Sequence, residues 1–272
     1  MNKFKIIIPR YNDPRWIVFS MFCLYTFISM LTPHFGRNIW QFFAAVIPAL
    51  ILDACFTYYY KRVFFFSLSG LLSSMGVCFL LFSPLIWPFS IAAIFTIASK
   101  HLIRYKGNHI FNPNNFGVVV SLFFLSAVVS TTSGRWPNAP GFAMLFIFLG
   151  LIATYKVKRI DMALSFIFWF SVFTFVRYKI SGSSNMMFFY LPMTGPVFYL
   201  FSFFHITDPI TSPSTRKGRL LFAFILAVID GILRYNQVLY SPFYALFIAT
   251  ILKQFLPQIL PLQDSKKIWI YK

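Results

Sequence analysis

The segment IWQFFAAVIPALILDACFTYY, residues 39–59, indicates the structural class of this sequence. It is almost wholly apolar and carries one acidic side chain, Asp53. A helix needs about 20 such residues to cross the hydrocarbon core of a bilayer. Lys61 and Arg62 follow after Tyr60, and basic residues of this kind flank membrane-spanning helices on one side. The segment therefore predicts a transmembrane helix.

The rest of the chain repeats this pattern. Apolar residues make up 58% of it and charged residues only 11%, whereas a soluble domain carries about a quarter charged residues. The sequence predicts an all-α, polytopic membrane protein, with residues 1–272 as a single transmembrane domain of about ten helices. The predicted spans are 16–31, 39–59, 63–82, 86–99, 115–131, 141–155, 161–177, 186–204, 219–234 and 240–256.

The basic residues predict the orientation of these spans. There are 24 Lys and Arg against six acidic residues, and the basic ones lie at the ends of apolar segments. If the loops alternate between the two sides, 19 of the 24 share the side of the N-terminus. Cytoplasmic loops carry the Lys and Arg excess, so both termini are predicted to be cytoplasmic. This placement indicates a lipid bilayer as the partner and excludes nucleic acid.

Two polar motifs interrupt the apolar pattern. HIFNPNNFG occupies residues 109–117, and HITDPITSP occupies residues 205–213. Both contain His-Ile-x-(Asn/Asp)-Pro, and they lie 96 positions apart. The same offset brings the second to fourth apolar segments over the sixth to eighth. The sequence therefore predicts an internal repeat, with units of about 39–136 and 137–256.

The two motifs allow a structural and a functional interpretation. An Asn or Asp before Pro can cap a following helix, because Pro suits the first helical turn. Capping does not explain the additional polar residues, which at a helix start offer hydrogen-bond donors and acceptors to a polar or anionic ligand. A planar ring that forms hydrogen bonds, such as a flavin, would suit them. The candidate binding residues are His109, Asn112, Asn115, His205, Asp208, Thr211 and Ser212.

Two acidic residues lie inside predicted spans, where a charge costs about 2.5–3.5 kcal/mol. Asp230 has Arg234 four residues later, which predicts a local ion pair. Asp53 has no basic neighbour before Lys61. Both are candidates for an ion or proton path, Asp53 more than Asp230. The sequence contains no metal-ligand signature and no catalytic nucleophile motif.

Three segments resemble a known family. These are SKHLIRYKGNHIFNPNNFGVVVSL (99–122), GFAMLFIFLGLIATYKVKRID (141–161) and FFHITDPITSPSTRKGRLLFAF (203–224). They are similar to the RnfD/NqrB family, the multi-span subunits of the Rnf complex and of the sodium-pumping NADH:quinone oxidoreductase. The resemblance implies ten spans, a bacterial inner membrane and flavin-based electron transfer with a redox partner protein or quinone.

The resemblance also implies a flavin site and a departure from the family. Members carry a covalent FMN on a Thr in an outer loop, but the corresponding loop here is only STTSGRWPNAP, residues 130–140. Covalent FMN is therefore not expected, and the chain is closer to short stand-alone members. Asn112 and Asn115 match the family's noncovalent site, so riboflavin or FMN is the expected cofactor.

The residues alone leave two other functions open. Repeats, interrupted spans and intramembrane Asp residues also suit a transporter or channel for a small solute or cation. A structural subunit that has lost its cofactor is the third alternative.

Overall fold

A computed structural model describes residues 6–7, 13, 15–31, 37–62, 64–133 and 140–261. The chain is mostly helical, and the fold is that of a helical membrane protein. Two of the described helices, Ile39–Lys61 and Ile160–Ser181, are long and apolar enough to cross a membrane. A third span results if the bent pair Met186–Thr194 and Pro196–His205 acts as one.

The chain divides into two compact units. The first contains Met1–Arg104 and Pro113–Arg135, and the second contains Tyr105–Asn112 and Trp136–Lys272. The chain enters the second unit within a tight hairpin, β4 (Arg104–Tyr105) and β5 (Asn108–His109). Lys106 and Gly107 have φ angles of 48° and 83°, the left-handed conformations that a two-residue hairpin turn requires.

Five helices form the first unit. They are α1 (Arg15–Leu31), α2 (Ile39–Lys61), α3 (Leu68–Leu80), α4 (Trp87–Leu102) and α5 (Pro113–Phe124). Helix α2 packs against α3 and α4, and α4 packs against α5. Helix α2 begins at a capping box, in which Asn38 accepts from Trp40 N–H and Gln41 accepts from Asn38 N–H. Arg62, at φ 55°, ends it in the left-handed conformation.

Two predicted spans of this unit are shorter as helices than predicted. Residues 63–82 give helix α3 flanked by β2 (Phe64–Phe65) and β3 (Leu81–Phe82). Residues 115–131 are helical only to Phe124 and end in β6 (Ser130–Thr131). The segment Val128–Thr132 is rich in β-branched residues, which favour extended backbone. Strand β6 pairs antiparallel with β3, and β2 pairs in parallel with β1 (Ile6–Ile7).

The second unit contains six α-helices among its described residues. They are α6 (Pro140–Lys156), α7 (Ile160–Ser181), α8 (Met186–Tyr190), α9 (Pro196–Leu200), α10 (Arg216–Tyr235) and α11 (Ser241–Phe255). Helix α7 packs against α10, and α10 packs against α11. A 3₁₀ turn, Leu191–Thr194, follows α8, and a π-helical turn, Phe201–His205, follows α9.

The predicted span 186–204 is bent by 61°. Gly195 is extended, at φ −93° and ψ 143°, because the residue before a proline is driven out of the helical region. Pro196 then starts the second half. The bend directs the chain into the π-helical turn that carries His205.

The second Pro motif does not cap a following helix, contrary to the structural interpretation of the sequence. Helix α10 begins at Arg216, seven residues beyond Pro209, and its N-cap is Thr215, which accepts from Gly218 N–H. Asp208 instead caps a turn, since Oδ1 accepts from Ile210 N–H at 3.1 Å. The first motif opens α5 at Pro113 as predicted.

Each of the ten predicted segments contains at least one helix, with ends that differ by a few residues in most cases. The number of membrane crossings, the internal repeat and the side on which the termini lie stay predictions. The orientation prediction also used basic residues that lie outside the described residues, namely Lys3, Lys5, Arg10, Arg135 and those beyond residue 261.

Candidate functional site

The two Pro motifs contribute neighbouring segments to the second unit. Asn112 Nδ2 donates to the backbone carbonyl of His205 at 2.9 Å. His109 Nε2 lies 3.5 Å from Asp208 Oδ2. The Phe111 ring stacks on Phe247 of α11, with centroids 4.5 Å apart. The segment Tyr105–Asn112 is therefore held on one side by the 205–212 loop and on the other by α11.

Asp208 organises the loop that contains the second motif. Its carboxylate accepts from Ile210 N–H and from the Thr211 hydroxyl, each at 3.1 Å. Its backbone carbonyl accepts from Ser212 N–H at 2.9 Å. Burial alone would raise the pKa of Asp208, but the contact with His109 and the hydrogen bonds from Ile210 and Thr211 to the carboxylate outweigh it and lower the pKa below the usual value. Asp208 is therefore a carboxylate that its surroundings stabilise.

Two basic side chains fix the same loop. Arg159, which precedes α7, donates from Nε to the Ser212 hydroxyl at 2.8 Å. Lys253 of α11 donates from Nζ to the carbonyl of Thr211. Thr211 and Ser212 are both buried, so they act inside the loop and do not present their hydroxyls at a surface.

A small pocket, with an enclosed volume of about 10 Å³, opens beside these contacts. Its lining combines amide, imidazole, phenol and lysine side chains with two isoleucines. Its lining residues are Tyr105, Asn108, His109, Ile110, Ile210, Lys253 and Gln254. Of the seven binding residues that the sequence predicts, only His109 lines this pocket.

Two other predicted binding residues, His205 and Asn115, do not line the pocket. His205 is buried, its Nδ1 lies 3.3 Å from the Leu200 carbonyl, and its Nε2 has no hydrogen-bond partner among the described residues. Asn115 is buried in α5 of the first unit. The neighbouring amide of Asn114 packs so tightly on Gly76 that a Cβ there would overlap it.

The first unit contains a separate buried ionic cluster around Asp53. The carboxylate is 1% exposed, and Lys100 Nζ lies 3.1 Å from each of its oxygens. His101 Nε2 contacts Oδ1 of the same carboxylate. Lys100 also donates to the Ser69 hydroxyl at 2.7 Å, and the His101 ring stacks on Phe56 at 4.7 Å.

The sequence did not predict the partners of Asp53. Lys100 and His101 lie 47 and 48 positions away on α4, and only the packing of α2 on α4 brings them together. Gly70 permits the approach of α3, because a Cβ there would lie 2.9 Å from Asp53 Oδ2. The predicted pair between Asp230 and Arg234 does form, at 2.8 Å, and Ser241 donates to Asp230 at 2.7 Å.

The loop after α5 contains two threonines among its described residues. Thr131 and Thr132 are both buried, and Thr132 donates to the carbonyl of Phe79 at 2.5 Å. Residues 134–139 of this loop lie outside the described residues.

Comparison with known proteins adds one relationship. The chain is 29% identical over 126 residues to a component, designated D, of the ion-translocating oxidoreductase complex of Psychromonas ingrahamii. The match includes 43% of this chain and 33% of that protein, so the chain spans about a third of the length of the curated relative that it matches. No protein-family model matches the chain.

Proposed function

We propose that this protein is an RnfD-like electron-transfer protein of a bacterial inner membrane that holds a noncovalent flavin at the pocket of the second unit. The observation that carries the proposal is the convergence of both Pro motifs and Lys253 on one polar pocket. The similarity to a component of an ion-translocating oxidoreductase complex supports the redox class. A redox partner protein or a quinone would exchange electrons with it.

The donor set fits one end of a flavin. The Asn108 and Gln254 amides, the His109 imidazole and the Lys253 ammonium can all hydrogen-bond to oxygen acceptors. Its enclosed volume of about 10 Å³ is far smaller than the roughly 300–1,000 Å³ that encloses a drug-sized ligand. The pocket can therefore admit at most a single polar group of the cofactor, and the ring system would lie outside it.

Asn112 and Asp208 do not line the pocket, but they position the segment that does. Asn112 ties the Tyr105–Asn112 segment to the His205 carbonyl, and Asp208 keeps its loop closed around the His109 side. A bound flavin would supply one- and two-electron chemistry, and the protein's part is to bind and orient it. The buried Thr131 and Thr132 support noncovalent binding over attachment in the loop after α5.

The proposal is tested by the flavin content of the purified protein. We expect the detergent-purified chain to show oxidised flavin absorption, with about one flavin per chain released by denaturation. Asn112→Leu should purify with little flavin, because the pocket segment loses its tie to the His205 carbonyl.

Asn236→Leu is the matched control. Asn236 also donates from Nδ2 to a backbone carbonyl, that of Ile232 at 2.8 Å, but it is exposed at the end of α10. It should keep the wild-type flavin content. A colourless wild-type protein that also fails to bind added riboflavin and FMN would refute the proposal.

A further inference from the structure

Two arginines lie near each other at one end of the helix pair α7 and α10. Asp161, near the start of α7, pairs with Arg219, near the start of α10, at 2.6 Å. Toward the other end, Arg177 of α7 interacts electrostatically with both Asp230 and Arg234 of α10. The two helices therefore run in the same direction, and two guanidinium groups share their C-terminal end with one carboxylate.

That carboxylate is already paired with one of the two arginines. Asp230 accepts from Arg234 Nε at 2.8 Å and from the Ser241 hydroxyl at 2.7 Å. Arg177 is half-buried, and its guanidinium lies 5.8 Å from the centroid of the Phe189 ring of α8. In the described part of the chain, Arg177 forms no hydrogen bond or ion pair through its side chain. It therefore adds a positive charge that no described carboxylate bonds directly.

The sequence supplies no second acidic side chain to this end of the helices. Residues 162–207, which include the end of α7 and all of α8, contain no Asp or Glu. The same is true of residues 231–263, which include the end of α10 and all of α11. Lys179 adds a further, exposed cation on α7. This end of the helix pair is therefore net positive.

The position of the two arginines matches the edge of a membrane. Helix α7 is long and apolar enough to cross a membrane, and Arg177 lies four residues before its last residue, Ser181. Because a cation in hydrocarbon is costly, a long basic side chain near a helix end extends to the headgroup level. Tyr178 and Tyr235 follow the two arginines in the sequence, and tyrosines are enriched at the membrane–water interface. Exposed apolar side chains flank the arginines on the two helices, namely Phe175, Val176, Ile180 and Ile232.

We propose that Arg177 and Arg234 bind the phosphate of an anionic phospholipid, with its acyl chains against the exposed apolar side chains of α7 and α10. A guanidinium group binds phosphate oxygens through two parallel hydrogen bonds, which are about twice as strong as neutral ones. Basic pockets between membrane helices bind the headgroups of anionic lipids. A soluble anion would use the guanidinium groups alone and leave the apolar side chains uncovered.

The lipid site is separate from the proposed flavin pocket. Helix α11 begins at Ser241, which bonds to Asp230 beside the arginines. Lys253, which lines the pocket, lies near the other end of the same helix. The two sites are therefore at opposite ends of α11, and lipid binding does not depend on the proposed function.

The experiment measures lipid binding to the full chain purified in detergent. Native mass spectrometry gives dissociation constants for phosphatidylglycerol and for phosphatidylcholine with the same acyl chains. Wild type should bind phosphatidylglycerol about 25-fold more tightly, because each arginine near an anionic headgroup contributes about fivefold in affinity. Arg177→Gln should lower this ratio to about fivefold, and Arg177→Lys, which keeps the charge but not the planar donor pair, should lie between the two.

Arg216→Gln is the matched control, because it removes an exposed guanidinium group from the opposite end of α10. It should keep the wild-type ratio of the two dissociation constants.

Three results would overturn the inference. Equal affinity of wild type for the two lipids would do so without any variant. An unchanged ratio in Arg177→Gln would show that the anionic lipid binds elsewhere. Displacement of phosphatidylglycerol by an equal concentration of inorganic phosphate would assign the two arginines to a soluble anion. None of these measurements involves flavin, so the proposed function is tested separately.

Discussion

Replacing Asp53 by Asn should lower the free energy of unfolding of the first unit by more than a substitution at a surface polar residue does. Asn has the same shape, so the space between Gly70 and α4 stays filled and only the charge is lost. Lys100 and His101 would then lie against a neutral amide. Removing one partner of a buried ion pair costs about 3–5 kcal/mol. The Lys100 and His101 side chains are 15% and 11% exposed and can reach solvent, so the lower end, about 3 kcal/mol, applies.

A double-mutant cycle with Lys100→Met tests whether the lost charge pair causes this cost. The double variant removes both charges, so it should be more stable than the sum of the single effects predicts, by about 1–3 kcal/mol. The free energy of unfolding is measured in mixed micelles by tryptophan fluorescence. Lys217→Met controls for the loss of a lysine. A cost of about 0.5 kcal/mol or less for Asp53→Asn, the range of surface substitutions, would show that the buried pair does not stabilise the unit.

Three further predictions concern stability. Because the pKa of Asp208 is lowered in the folded protein, the Asp208 carboxylate stabilises the fold fully above about pH 4, and this stabilisation is lost as the pH falls further. In denaturation series toward low pH, the difference in free energy of unfolding between wild type and Asp208→Asn should therefore shrink. A difference that stays constant with pH would contradict this. Gly117→Ala should cost about 1–3 kcal/mol, because its Cβ would overlap the Thr96 hydroxyl, whereas Gly141→Ala, which meets no atom within 4 Å, should not lower the melting temperature. Asp230→Asn should cost about 1.5–3 kcal/mol by losing charge-assisted bonds to its arginine and serine partners, and an unchanged unfolding midpoint would show that these bonds contribute nothing.

Local sequence patterns predicted the helices well. Apolar length and the flanking Lys61 and Arg62 identified α2, because a membrane helix is determined by the polarity of its own residues. The ion pair between Asp230 and Arg234 was equally local, since residues four apart share a helix face.

Contacts between distant segments could not be predicted in the same way. Lys100 and His101 meet Asp53 only through the packing of α2 on α4, and no spacing in the sequence encodes it. The interpretation that Asp208 of the second Pro motif caps a helix was also wrong. The Asp208–Pro209 pair suits a turn as well as a helix start, and the residue that caps α10 is Thr215, beyond the motif.

The pocket also could not be predicted from local sequence patterns. Its polar lining comes partly from the first motif, through His109, and partly from Lys253 and Gln254, far away on α11. Lys253 lies inside the last apolar segment, where a charge is costly, so it was a sequence indication of a polar site. The orientation rule treats such a lysine only as a marker of the cytoplasmic side, so it does not reveal the pocket.

The proposed flavin binding at the pocket beside the two Pro motifs and Lys253 can be tested directly. The measurement is a difference map at the Lys253 ammonium, from an experimental structure of the purified protein after incubation with FMN. We predict ligand density there, in contact with Asn108 and Gln254. Density for FMN elsewhere, with the Lys253 pocket collapsed or filled by another side chain of this protein, would show that the flavin site lies outside this pocket.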